Sequence, residues 1–134
     1  MARYDALPRI PVAAKDDDLL YQLRVYGDNE RRIELPDGRG SHPDGFTPTY
    51  GALGDAKHVG SGATSKFYEP PPGSGLEAIA ARKIDRRLVA LAQAADRFGG
   101  TGVIEYVTNT RAAAQFFESR MSALGLRGYV RIVP

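Results

Sequence analysis

The chain has 134 residues, with 18 Lys and Arg against 16 Asp and Glu, 43% hydrophobic and 9% aromatic residues, and no cysteine. These proportions fit one globular domain and exclude disulfide scaffolds and Cys-ligated zinc. Two histidines, His42 and His58, are too few for a His-rich metal cage and leave little for a Ser/His/Asp triad, so any catalysis rests on carboxylates and lysine.

No apolar run approaches the roughly 18 residues of a spanning helix, and the opening MARYDALPRIPVAAKDDD lacks the apolar centre of a signal peptide. The chain is therefore expected neither to insert into a membrane nor to carry its own signal peptide. Charge is uneven along it: residues 1–73 hold 9 basic and 11 acidic side chains, and residues 74–134 hold 9 basic and 5 acidic. The second half accordingly faces an anion more comfortably than the first.

Residues 1–15 contain Pro8 and Pro11 without an apolar period and read as an arm, and the domain proper is expected over 16–134. Asp16, Asp17 and Asp18 supply negative charge to a helix start. Leu19, Leu20, Leu23 and Tyr26 then fall at helical spacing before Gly27. Arg31–Leu35 alternates as a strand before the turn residues Pro36, Asp37, Gly38 and Gly40. Further strands are expected over His42–Phe46 and Leu53–Val59.

Gly60–Gly75 is rich in Gly, Ser and Pro and reads as a long excursion from the scaffold. Ile84, Leu88, Leu91, Ala95 and Phe98 form one stripe of a long helix closed by Gly99-Gly100. Val103–Val107 is an apolar strand. Asn109 or Thr110 can cap a helix whose inner face is Ala113, Phe116, Phe117, Met121 and Leu124; Gly125 ends it, and Tyr129–Val133 is the last strand. The order αβββαβαβ describes an α/β domain with a mixed central sheet flanked by helices.

Within this scheme Asp44, Asp55 and Lys57 stand apart. Side chains at i and i+2 of a strand share a face, so Asp55 and Lys57 project together. A hairpin turning around Thr47–Gly51 pairs position 44 with position 55, bringing their Cβ atoms to about 5 Å. Two carboxylates that close repel unless a cation lies between them. A hard divalent ion such as Mg²⁺, bound through one or two carboxylates plus water and phosphate oxygens, resolves that conflict. With an amine alongside, the trio points to metal-assisted phosphodiester hydrolysis.

Pro43-Asp44, ten intervening residues, and Asp55-Ala56-Lys57 resemble the PD-(D/E)xK motif of the restriction-endonuclease-like nucleases. More narrowly, YQLRVYG, PDGF, GDAKHV and GLRGYVRIVP are similar to the restriction-endonuclease-fold toxin domains of bacterial polymorphic toxins. The resemblance implies a restriction-endonuclease-like core with the motif on the second and third strands. It further implies a deoxyribonuclease toxin domain, exported as part of a larger effector, acting in the target-cell cytoplasm, and held harmless in the producer by an immunity protein. That partner is expected to be acidic, since it must occlude a positively leaning cleft.

By the family pattern Asp44 and Asp55 hold Mg²⁺ or Mn²⁺, the Ala56 carbonyl is an extra ligand, and Lys57 is the catalytic lysine. Many members add a Glu from the first helix; here Gln22, or Glu30 beyond it, stands in its place. RNA cleavage at the same site, and a non-catalytic protein-binding module, are the competing readings.

Arg82, Lys83, Arg86 and Arg87 lie on the polar face of the long helix, where solvation suffices to explain them and phosphate contact is the functional alternative. Ser65 and Lys66, with Ser61, are candidates to reach a substrate backbone from the Gly/Ser loop. His58 alternates away from Lys57 and reads as packed, and His42 as no more than a neighbour of the site. Phe116, Phe117 and Tyr129 are spaced for the core. GSGATSK at 60–66 lacks the order GxxxxGK[ST], which disfavours nucleotide hydrolysis.

Overall fold

The computed structural model describes residues 4–8, 17–59, 76–99 and 101–134. Asp16, Ser61, Ser65, Lys66 and the rest of the Gly/Ser/Pro excursion at 60–75 lie outside the described residues. A 3₁₀ turn, Tyr4–Ala6, precedes α1 (Asp17–Tyr26), β1 (Ile33–Glu34), β2 (Gly40–Ser41), β3 (Gly45–Thr47) and β4 (Ala52–Lys57). There follow α2 (Leu76–Gly99), β5 (Val103–Thr108), α3 (Arg111–Leu124) and β6 (Arg127–Ile132).

The main sheet has the order β3-β4-β5-β6, with β3 antiparallel to β4 and the other neighbours parallel. The two parallel crossovers run through α2 and α3, as parallel pairing requires. The domain is thus α/β with a mixed four-stranded sheet flanked by helices, as the pattern of the chain predicts.

Two details differ from that prediction. The Arg31–Leu35 strand shortens to β1 and pairs with β2 in a separate two-stranded ladder, so the order is αββββαβαβ. A strand of two residues containing Gly40 carries no alternation from which to read it. In α1 the inward phase is shifted by one residue. Leu20 is 59% exposed whereas Tyr21 is buried, its hydroxyl donating to the Val133 carbonyl at 2.7 Å and its ring set against His58.

The core fills the face of the sheet carrying Leu53, Ile104 and Tyr106, against Ile84, Leu88 and Leu91 of α2 and Phe117 and Met121 of α3. Each fully buried leucine here is worth about 2–3 kcal/mol. Tyr4, in the segment read as an arm, belongs to this core. It stacks on Phe46 at 5.5 Å, meets Phe98 edge-on, and its hydroxyl donates to the Asn29 carbonyl at 2.7 Å.

Thr110 caps α3, its hydroxyl accepting the Ala113 N–H at 3.2 Å, and Gly125 at φ +66° ends it. Phe116 and Leu124 are only half-buried at the edge of the packed face, with Phe117 beneath. α1 lies on the other face of the sheet, against β4. Among the described residues no helix is long and apolar enough to cross a membrane.

Candidate active site

The β3–β4 hairpin pairs Gly45 with Gly54, Phe46 with Leu53 and Thr47 with Ala52. This register, carried one residue further, sets Asp44 beside Asp55, which is the pairing expected from the turn residues. The two aspartates clasp each other's backbone. The Asp44 N–H donates to the Gly54 carbonyl at 2.8 Å and to Asp55 Oδ1 at 3.3 Å, while the Ala56 N–H donates to Asp44 Oδ2 at 2.8 Å. One oxygen of each carboxylate is thereby fixed by a strand amide.

A cleft of about 500 Å³ opens over this pair, and Gln22, Glu30, Asp44, Asp55, Lys57 and Arg87 all line it. Three chain regions converge: α1 and its following loop, the β3–β4 hairpin, and the middle of α2. Lys57 and Asp55 share the cleft face, as their i, i+2 spacing on β4 demands. His42 stands exposed at the cleft wall, and Arg32 Nη1 lies 3.5 Å from its Nε2. His58, on the opposite face, packs on Tyr21.

Gln22 and Glu30 reach the same cleft without merging with the aspartates. The Gln22 side-chain amide donates to Glu30 Oε1 at 3.1 Å, and among the described residues no three His, Asp or Glu side chains converge tightly enough to hold an ion by themselves.

Burial pushes both aspartates above the ordinary carboxylate range. For Asp44, the neighbouring charge of Asp55 adds to the rise and Glu30 adds a little more, opposed by the Ala56 N–H and by Arg87. For Asp55, Arg87 is the main opposing influence, with the Asp44 N–H after it. The pair therefore holds protons that two solvated carboxylates would have released.

Arg87 was predicted as one of four basic residues on a polar helix face, and the structure separates it from the others. All four are exposed, and of them Arg87 alone lines the cleft. Helical spacing bears on that distinction: Arg87 follows Ile84 by three positions and precedes Leu91 by four, so it borders the buried stripe, while Arg86 is turned about 100° away.

Sequence reasoning missed Glu105 altogether. This carboxylate is 2% exposed in the middle of β5 and accepts bonds from Tyr26 (2.6 Å), Tyr129 (2.5 Å), Thr47 (3.2 Å) and Arg131 (3.3 Å). Tyr129 is half-buried rather than a core side chain, because its hydroxyl serves this carboxylate. The available signal was a lone acid inside the apolar run VIEYV, where an unpaired charge is untenable.

Comparison with curated proteins and with solved structures gave no match to this chain. The family model for restriction endonuclease fold toxin 2, Tox-REase-2, matches residues 17–127, from the first turn of α1 to the start of β6. That span contains the carboxylate pair, Lys57 and every strand of the main sheet up to β6. The chain belongs to the restriction endonuclease fold toxin 2 family, and the α/β core around Asp44 and Asp55 is that of a nuclease-like toxin domain.

Proposed function

We propose that this domain is a metal-dependent deoxyribonuclease, the C-terminal toxin domain of an effector that one bacterium exports and that acts in the cytoplasm of another. The observation that carries the reading is the Asp44 and Asp55 pair, clasped across β3 and β4 in a cleft that also receives Lys57 and Arg87.

The donor set fits a hard divalent cation. Burial raises the proton affinity of both carboxylates, the charge of Asp55 raises that of Asp44 further, and each has one oxygen fixed by an amide and one left for a ligand. Nucleases of this fold typically use divalent metals. Here Asp44 and Asp55, with the Ala56 carbonyl, would hold Mg²⁺ or Mn²⁺, which when bound supplies Lewis acidity and an acidified water. Two carboxylates leave room for water and phosphate oxygens, which suits Mg²⁺ better than an all-protein cage.

The chain's own groups supply the remainder. Lys57, beside Asp55, neutralises charge developing on the attacked phosphate and orients the water. Arg87, facing the pair from α2, grips a phosphate with its planar fork of donors, while Arg82, Lys83 and Arg86 extend the same basic helix toward the flanking backbone. Glu30, held by Gln22, occupies the place of the helix Glu in related nucleases and keeps the cleft negative on the α1 side. A dedicated immunity protein, acidic where it meets Arg87 and Lys57, keeps the domain inactive in the producing cell.

Supercoiled plasmid and tRNA, incubated side by side with Mg²⁺ or Mn²⁺, test the reading. Plasmid is expected to be degraded, and Asp55→Ala and Lys57→Ala to abolish degradation with unchanged circular dichroism. Undiminished cleavage by both variants removes these residues from the site. Preferential loss of tRNA makes the domain a ribonuclease. The absence of both cleavage and metal uptake makes it a non-catalytic binding module.

A further inference from the structure

On the face of the sheet opposite the cleft, Gly45 and Gly54 form a cross-strand pair, and each adjoins a cleft carboxylate in the chain. The Tyr26 ring lies directly against both. A Cβ added to Gly45 would fall 2.3 Å from Tyr26 Cδ1, and one added to Gly54 would fall 2.0 Å from the Tyr26 hydroxyl oxygen and 2.5 Å from Cζ. One aromatic plate thus replaces two missing side chains and spans the hairpin. Its hydroxyl donates at 2.6 Å to Glu105 on the next strand, so the plate is anchored as well as packed.

We propose that Tyr26 is a positioning residue for the carboxylate pair: held by Glu105, its ring sets the spacing of Asp44 and Asp55 from behind the sheet and thereby sets the affinity for a divalent cation. The proposal rests on the nuclease reading above. Three observations carry it. Two facing glycines weaken a ladder, by roughly 0.5–1 kcal/mol each relative to Ala, where ordinary strand residues would strengthen it. Leu53 and Ile104, the buried β4 and β5 neighbours toward the core, are ordinary apolar residues, and the remaining glycine inside the main sheet, Gly128 of β6, is approached by Ile104 and not by an aromatic plate. Moreover, the Gly54 carbonyl against which the Asp44 N–H is fixed at 2.8 Å belongs to the residue that Tyr26 presses. Any movement of the plate changes the local geometry of both strands and is felt at both carboxylates.

Mn²⁺ titration by calorimetry on the whole chain, paired with thermal melts, tests this. Tyr26→Phe retains the plate and removes its anchor. Mn²⁺ affinity is expected to fall about 10-fold, as for other groups that orient ligands indirectly, with a melting temperature close to that of the parent. Glu105→Asp keeps the charge but withdraws the anchor by one methylene, and is expected to show the same fall. Met121→Ala, in α3 and remote from the pair, is expected to melt earlier and to bind Mn²⁺ as the parent does, which separates positioning from general loss of stability. Parent-like Mn²⁺ affinity in either folded anchor variant, or an equal loss in Met121→Ala, overturns the positioning role and leaves the nuclease reading standing. A parent chain that takes up no Mn²⁺ overturns the metal-dependent reading itself, and the positioning role with it.

Discussion

The two faces of the central sheet treat buried carboxylates in opposite ways. On the α2 face, Asp44 and Asp55 are pushed above their ordinary range by burial, and Asp44 further by the charge of Asp55, with two backbone amides and Arg87 in partial compensation. One strand away and on the α1 face, burial acts on Glu105 as well, yet bonds from Tyr129 and Tyr26, with Arg131, hold it below the usual value. Burial by itself therefore does not set the state of an acid in this protein; the number of donors aimed at it does. Glu105 is a finished network that ties α1, β3 and β6 to β5. The aspartate pair is satisfied only in part, by two backbone amides and the field of Arg87, which accords with the proposed role as a cation site.

The contrast can be broken most forcefully at the cleft. Asp55→Asn is expected to lower plasmid cleavage by about 10³-fold, measured as first-order loss of supercoiled DNA with saturating Mg²⁺, and a loss under about 10-fold would show that the pair is not at the centre of the chemistry. Next in size, Glu105→Ala strands buried hydroxyls and a guanidinium. It should destabilise the fold by about 3 kcal/mol in urea denaturation, and a change inside error would mean that the network is solvated rather than structural.

A smaller effect of opposite sign is expected at Asp44. Asp44→Asn removes an acid that must take up a proton to be buried but keeps an acceptor for the Ala56 N–H, so the metal-free protein should gain about 1 kcal/mol at neutral pH, and a lowered urea midpoint would contradict this.

The last test is a slope and not a step, the dependence of stability on pH. Folded Asp44 and Asp55 bind protons more tightly than they do unfolded, so the stability they contribute is full in acid and is lost as pH rises from about 4 through neutrality. Glu105, with its folded value lowered, contributes stability above its ordinary value and loses it as pH falls below. Metal-free stability should consequently decline toward alkaline pH, with a limit of about 1.4 kcal/mol per pH unit for each acid that keeps its proton only in the folded state. Denaturation series in the parent and in Asp44→Asn/Asp55→Asn check this, the double variant being expected to flatten that limb.

Much of the scaffold was readable because long elements repeat their message. The stripe from Ile84 to Phe98 specifies the inner face of α2 over four turns, and all five of its residues are buried or packed against the core. Thr110 and Gly125 mark the ends of α3 by chemistry that acts within one turn. The hairpin register was equally legible, since Pro48 and Gly51 place the bend and a period of two does the rest. Where the message is short it failed: β1 and β2 have two residues each, and α1 offers a run of Leu19, Leu20 and Tyr21 in which periodicity does not choose which side faces in. Glu105, Tyr26 and Arg87 were not legible as a group because their meaning lies in partners many positions away.

By itself the sequence determined the α/β class, the family, and the facing of Asp44 and Asp55 with Lys57 on one side of a hairpin. These depend on local sterics and on periods of 2 and 3.6, which act over a few residues. Only the tertiary structure decided that the Arg87 edge of α2 overlooks the carboxylate pair, that Glu30 lines the same cleft with Gln22 bonded to it, and that Tyr26 lies across two glycines behind the site. Those outcomes depend on how high each helix rides over the sheet, a balance of packing contacts between segments as far as 79 residues apart, and no local rule contains it.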